Sequence, residues 1–272
     1  MRITIWGCRG SLPTPGPETV GYGGNTSCVE VSLPDGSLLV LDAGSGIRKL
    51  GDALADREVR RFHLLLTHLH LDHVEGLRFF APLFDERTTL DIWGPPSPVL
   101  SLEDRIVRSF SPPLFPIDLR RVPARVTFRD VPRGSWTIGS ASVSAELVAH
   151  PGPTLGFRID TGTASVAYLP DHEPALAGVI ARSSPDWISG FSLASDVDLL
   201  LHDAQYSEHE YRDRVGWGHS SIEDAVAFAR VAGAARLLLF HHDPSHSDGV
   251  LDGLAATAQP ASLAREGMIF EL

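Results

Sequence analysis

The sequence predicts an α/β (α+β) protein with sheet packed on sheet and helices on the outside. Strand-like apolar runs recur along the whole chain, and helical patterns interrupt them. Hairpin-type connections such as SLPDGS (32 to 37) favour mixed or antiparallel pairing. Several of the strands also end in a histidine or an aspartate, and strand ends converge on one edge of a sheet.

In chain order, strands are expected at RITIWG (2 to 7), SCVEVSL (27 to 33), SLLVLD (37 to 42), FHLLLT (62 to 67), TLDIW (89 to 93) and RVTFRDV (125 to 131). They continue at SVSAELVAH (142 to 150), LGFRID (155 to 160), SVAYL (165 to 169), DLLLH (198 to 202) and RLLLF (236 to 240). Helical spacing covers 46 to 55, 72 to 80, 98 to 109, 221 to 231 and 249 to 265. The helix at 221 opens on Ser220 with Glu223 three residues on, the spacing of a capping box. No fixed-period repeat or long linker divides the chain, so 1 to 272 reads as one domain.

Of 272 residues, 43% are hydrophobic and 21% charged, which suits a sizeable core and argues against disorder. Cys8 and Cys28 make no CxxC pair and are expected as buried free thiols in a reducing compartment. The opening MRITIWGCRG enters a strand directly, and no apolar run approaches a membrane span. A cytoplasmic protein with no membrane partner is therefore expected. A net charge of −11 disfavours broad binding of nucleic-acid backbones, while a small anionic substrate held by local metal charge fits. The composition is compatible with a homodimer.

The chemistry concentrates in RRFHLLLTHLHLDHVEGLRFF (60 to 80), where His68, His70, Asp72 and His73 crowd together. Burying such groups unpaired costs on the order of several kcal/mol each, so they either face water or hold something. FHLLLT runs into His68, SVSAELVA into His150, SVAYLP into Asp171, DLLL into His202 and Asp203, and RLLLF into His241 and His242. Imidazole nitrogen and carboxylate oxygen suit Zn²⁺, and also Mn²⁺ or Fe²⁺.

THLHLDHVEGL resembles the HxHxDH signature of the metallo-β-lactamase superfamily, and the likeness continues through VAHPGPTLGF, YLPDHE and LLLFHHDP. The opening GCRGSLPTPGPETVGYGGNTSCVEV is similar to the Gly-rich first loop of that superfamily's phosphodiesterase branch, which includes ribonuclease Z and small cyclic phosphodiesterases. LVLDAGSG (39 to 46) follows it. The resemblance implies the metallo-β-lactamase fold, a four-layer αββα sandwich with a dinuclear metal site at one edge of its two sheets. It implies two divalent ions, Zn²⁺ first and Mn²⁺ or Fe²⁺ as alternatives. His68, His70 and His150 would hold the first, Asp72, His73 and His241 the second, and Asp171 both. A water activated between two such ions would make the chain a hydrolase without a protein nucleophile. Asp72 thus counts among both ligands and catalytic residues. LLLFH parallels LLLTH, which selects His241 over His242 as the last ligand.

DLLLHDAQY supplies Asp203 and GWGHSSIEDA supplies His219, in contexts where ribonuclease Z-like members carry a carboxylate and a histidine that assist proton transfer. The resemblance therefore implies Asp203 orienting His219 as a general acid. Asp42 reads as a structural carboxylate bonding loop amides. His63, His172, His209 and His246 read as surface or locally bonded. Tyr22 and Trp217 are rings that could stack on a base, though YGGN (22 to 25) reads equally well as a plain turn. Ribonuclease Z carries its substrate-binding arm between the third motif and the bridging aspartate, where this chain has only 151 to 170. The resemblance then points to a small phosphodiester, a cyclic nucleotide or similar. Its other readings are a ribonuclease Z-like endonuclease, a lactonase or thioesterase, and a non-catalytic carrier like the pyrroloquinoline quinone biosynthesis B proteins.

Overall fold

The computed structural model describes every residue except 56, 58, 175, 177, 179, 181 and 182. Its first sheet contains β1 (Arg2–Gly7), β2 (Cys28–Ser32), β3 (Leu38–Leu41), β4 (Arg61–Leu65), β5 (Thr89–Gly94) and β6 (Arg125–Asp130). The second contains β7 (Ser135–Ile138), β8 (Ala141–Leu147), β9 (Leu155–Asp160), β10 (Ser165–Leu169), β11 (Leu199–Asp203), β12 (Leu237–Phe240) and β13 (Ser262–Leu263). The last strand, β14 (Ile269–Glu271), returns to pair with β1. Each sheet is mixed in the same way. β1 to β3 are antiparallel and β3 to β6 parallel, while β7 to β10 are antiparallel and β10 to β13 parallel.

Alternation along the strands sorts the apolar side chains into two layers of contact. Ile3, Ile5, Val29, Val31, Leu39 and Leu41 pack inward against Phe157, Ile159, Val166, Leu199 and Leu201 of the facing sheet. The odd-even partners, such as Leu38, Val40, Phe62 and Leu64, pack outward under α1 (Gly46–Ala53) and α3 (Leu102–Val107). On the other side Ala167, Leu169 and Leu200 lie under α4 (Phe191–Ala194) and α6 (Ile222–Ala232). The result is the expected helix–sheet–sheet–helix sandwich. Strands covered on both faces read as continuous apolar runs, which is why LLVL and SVAYL are buried throughout.

The structure moves several expected boundaries. The pattern at 72 to 80 divides into the short α2 (Leu71–Val74) and a 3₁₀ turn at Glu75–Phe79. The helix expected at 98 to 109 shrinks to α3, because the Ser101 hydroxyl accepts from the Asp104 amide and sets its start. The helix expected at 249 to 265 is α7 (Asp248–Thr257). Pro260 follows it and Ser262–Leu263 pairs with β12 instead. At the start of α6 the cap is Ser221, bonded by the Asp224 amide, and not Ser220 with Glu223. Ser220 is turned the other way, donating to the His172 carbonyl. β7, β13 and β14 are short strands without a distinct apolar run and were not expected. Cys8 and Cys28 are buried free thiols. Among the described residues no helix is long and apolar enough to cross a membrane.

Candidate metal centre

The site forms where strand ends of both sheets meet. β4 ends at Leu65, and the chain then delivers Thr67, His68 and His70 before α2 carries Asp72 and His73 on its first turn. His150 follows β8, Asp171 follows β10, Asp203 closes β11, and Asp42 and His241 come directly after β3 and β12. Asp42 and His241 both take left-handed backbone angles, φ 59° and 62°. That conformation costs a side-chain-bearing residue about 1 to 3 kcal/mol, and the surrounding structure holds it in place. The sharp turn swings each side chain off its strand toward the seam.

Two groups of ligand-type atoms face the two oxygens of one carboxylate. Nε2 of His68 and Nε2 of His150 each lie 3.7 Å from Oδ2 of Asp171, and His70 Nδ1 lies 3.3 Å from His150 Nε2. Nε2 of His73 and His241 lie 3.0 and 3.4 Å from Oδ1 of Asp171, and both are 3.2 Å from Oδ2 of Asp72. His68 Nε2, His73 Nε2 and Asp171 Oδ1 are buried yet make no hydrogen bond. Atoms that converge on a point without bonding one another, at such burial, fit a cation at that point. The all-nitrogen-and-oxygen donor set fits Zn²⁺, Mn²⁺ or Fe²⁺, with His68, His70, His150 and Asp171 grouped for one ion and Asp72, His73 and His241 for the other. Asp171 Oδ1 lies beside His73 and His241 of the second group.

The second nitrogen of His68, His73, His150 and His241 is occupied in the way that orients a ligand. Asp42 Oδ2 lies 2.8 Å from His73 Nδ1 and also accepts from the Tyr168 hydroxyl. Asp42 accepts from the Thr67 amide and hydroxyl, and the same hydroxyl sits 3.0 Å from His68 Nδ1. His150 Nδ1 is 2.8 Å from the Gly218 carbonyl, and His241 Nδ1 is 3.2 Å from Oε1 of Gln205. Asp72 Oδ2 accepts from the Ser11 amide at 2.8 Å, so the first loop closes over the ligands. Charge follows the geometry. Burial and then His73 push His68 well below its usual range. Burial opposes a charge on His73 too, but Asp171, Asp72 and Asp42 outweigh it and raise that ring well above its usual range. A cation entering the site would displace that proton.

His219 leans over the cluster. Its Nδ1 lies 2.6 Å from Oδ2 of fully buried Asp203, and its ring stacks on His241 at 4.9 Å between centroids. Burial would lower its pKa, but Asp203 overrides this and lifts it to about 9. Asp203 is itself fixed by the amides of His172, Gln205 and Ser220.

The structure thus brings together every residue expected at the site: His68, His70, Asp72, His73, His150, Asp171, Asp203, His219 and His241. His242 turns away into the core, where Nε2 donates to the Ala264 carbonyl. His202, although it ends a strand beside Asp203, points to the far side and bonds His172 at 2.9 Å, so it is not at the cluster. His172 and His246 are buried and bonded locally, to His202 and Glu210. Tyr22 is also buried, with its ring edge against His242 and its hydroxyl on Asp252, and cannot stack on a ligand; Trp217 is 61% exposed. Asp42 bonds a loop amide as expected, that of Thr67, and also holds His73, whereas Thr67, Tyr168, Gln205 and the Ser11 amide join the site unannounced by the sequence. Their signal was weak, because Thr and Gln carry no metal preference and a backbone amide has no letter.

Comparison with known proteins agrees with this fold. The β-lactamase superfamily domain matches residues 39–242, and the chain belongs to that superfamily of metal-dependent hydrolases. Ribonuclease Z of Haloferax volcanii is 26% identical to it, over 89% of this chain and 84% of that protein. The fold is shared with Zn²⁺-bound PqqB of Methylobacterium extorquens at a TM-score of 0.73 and 19% identity, with all of both chains covered. It is also shared with a diphosphatase of the PhnP family at a TM-score of 0.71 and 18% identity, covering 100% of this chain and 97% of that one.

Proposed function

We propose that this protein is a metal-dependent phosphodiesterase that cleaves a small phosphodiester, a cyclic nucleotide or similar, with His219 as proton donor. The observation that carries this reading is the His219 ring, held by Asp203, standing over the point where seven ligand-type side chains converge. Two divalent ions, when bound, would neutralise phosphoryl oxygens and make a water nucleophilic near neutral pH. Asp171 spans both ligand groups and holds them in register. With Nδ1 committed to Asp203, His219 presents Nε2 to the departing oxygen and supplies the proton it needs.

Three features support a small substrate. The stretch 151 to 170 folds as β9 and β10 with short connections, and so carries no arm for a large RNA. The net charge is −11. A cleft of about 240 Å³ opens beside His68 and His70, walled by Leu69, Pro95, Pro151, Pro153 and the cationic Arg105. That volume lies below the roughly 300 to 1,000 Å³ of sites for drug-sized ligands and suits one ring-sized group next to an anion. The names ribonuclease Z and diphosphatase among the relatives point toward phosphoester chemistry.

The test is turnover of bis-p-nitrophenyl phosphate with added Mn²⁺ or Zn²⁺, followed by a panel of cyclic mononucleotides, dinucleotides, monoesters and lactones. Diesters should exceed monoesters and lactones by about a hundredfold in kcat/KM, some 2.7 kcal/mol of differential transition-state binding. No turnover with any metal would overturn the hydrolase reading, and a lactone at the head of the panel would overturn the phosphodiester.

A further inference from the structure

Glu173 lies two residues past the bridging Asp171, is 1% exposed, and has no role in the site as described so far. Among the described residues no cation pairs with it. Its carboxylate is instead filled by hydrogen bonds from α5 (Glu208–Tyr211) and the loop that follows it. Oε1 accepts from the Tyr211 hydroxyl at 2.7 Å and the Gly216 amide at 2.8 Å, and Oε2 accepts from the Gly218 amide at 2.8 Å. The Glu173 amide donates to the carbonyl of Ala149, next to His150.

The loop it gathers is the one that serves both halves of the chemistry. The Gly218 carbonyl receives His150 Nδ1, and His219 comes next in the chain. Gly216 and Gly218 both have positive φ, 85° and 91°. A Cβ on Gly218 would fall 2.2 Å from Pro151 Cδ and 2.5 Å from His150 Nδ1, so only glycine lets the backbone approach this closely. A loop with two amides aimed inward needs an acceptor there, because buried amides left unpaired cost about 1 to 3 kcal/mol each.

We infer that Glu173 is the positioning residue that sets His150 and His219 together, through the amides of Gly216 and Gly218. PDHE (170 to 173) then performs three tasks in a row. Asp171 spans the ligand groups, the His172 amide bonds Asp203, and Glu173 clamps the loop that carries Asp203's partner.

The test is metal titration of the full-length protein, which does not depend on any substrate. Without the carboxylate the Gly218 carbonyl is no longer held, so Glu173→Ala should weaken Zn²⁺ or Co²⁺ binding at the His68, His70 and His150 side about 10- to 100-fold. Binding at the Asp72, His73 and His241 side should be unchanged. Glu173→Gln, which keeps one acceptor oxygen, should fall between wild type and Glu173→Ala, and decides the matter if the alanine variant does not fold. Tyr211→Phe removes a donor but leaves the glycine amides bonded, and should bind both ions as wild type does. Two equivalents bound with wild-type affinity in Glu173→Gln and Glu173→Ala would overturn the inference. The second arm rests on the proposed phosphodiesterase activity. Glu173→Ala should lose at least tenfold more rate on an alkoxide-leaving cyclic nucleotide than on a nitrophenyl diester. If wild type cleaves no diester, that arm fails with the functional reading while the metal titration still stands.

Discussion

Nδ1 of His219 donates to Oδ2 of Asp203 at 2.6 Å, and the imidazole so held stacks on His241, an expected metal ligand. His219 is also close enough to Asp171 and His241 to complete a ligand group itself. A proton donor and a ligand at this position respond differently to loss of the ring. As a donor, His219→Ala should retain two metals and lose roughly 10² to 10⁴ in kcat on a cyclic nucleotide. The loss on a nitrophenyl diester should be small, since nitrophenolate leaves unaided. Asp203→Asn should follow the same pattern more mildly. Elemental analysis and the two substrates together check it, and metal loss in His219→Ala would place the residue among the ligands.

Asp171 offers one oxygen to each ligand group. Asp171→Ala should lose most of its metal and nearly all activity, since no single histidine serves both ions. The purified variant's metal content by elemental analysis decides this. Two full equivalents with activity intact would show that the bridge lies elsewhere.

Asp42 tests the layer behind the ligands. Its left-handed backbone is one that Asn also adopts readily, so Asp42→Asn changes the side chain alone. His73 loses an anionic acceptor, and metal affinity should fall about 10- to 100-fold. Competition with a chelator measures it, and an unchanged affinity would mean that the charge of Asp42 does not act through His73.

Gly10 sits against the last ligand, where a Cβ would fall 2.4 Å from Nδ1 of His241. Gly10→Ala must displace either that ring or the first loop, whose next residue supplies the Ser11 amide to Asp72. Weaker metal binding at the Asp72, His73 and His241 side, with the His68 side intact, is the expected outcome. Titration that resolves the two sites is the measurement.

His202 governs part of the acid stability. Burial depresses this ring from 6.5 to about 4, partly offset by its bond to the Asp203 carbonyl. The unfolded chain binds the proton near pH 6.5 and the folded chain only near 4, so stability is full above 6.5 and falls as the pH drops between those values. At about 1.4 kcal/mol per unit the loss is roughly 3 kcal/mol. Urea midpoints from pH 7 to 4, with EDTA present to remove the metal contribution, should show it. The slope should be flatter in His202→Gln, and equal slopes would count against this assignment.

The sequence by itself determined the long strands and the layered class, and its letters marked the histidines and aspartates that the fold gathers into one cluster. Apolar periodicity is local, and a histidine or aspartate directly after a strand is visible as a string of letters. LLLTH and LLLFH announced His68 and His241 in that way, and the parallel between them was enough to choose His241 over His242. Only the tertiary structure decided which of the remaining polar groups belong to the site. His202 and Asp203 are adjacent letters on one strand, yet alternate side chains face opposite sides of a sheet, so one meets His219 and the other is buried against His172. Asp42 and Glu173 look like loop carboxylates until the fold brings Thr67, Tyr168, His73 and the glycine amides to them. β13 and β14 form only because β12 and β1 offer them an edge. These roles depend on contacts between residues far apart in the chain, and no local pattern encodes such contacts.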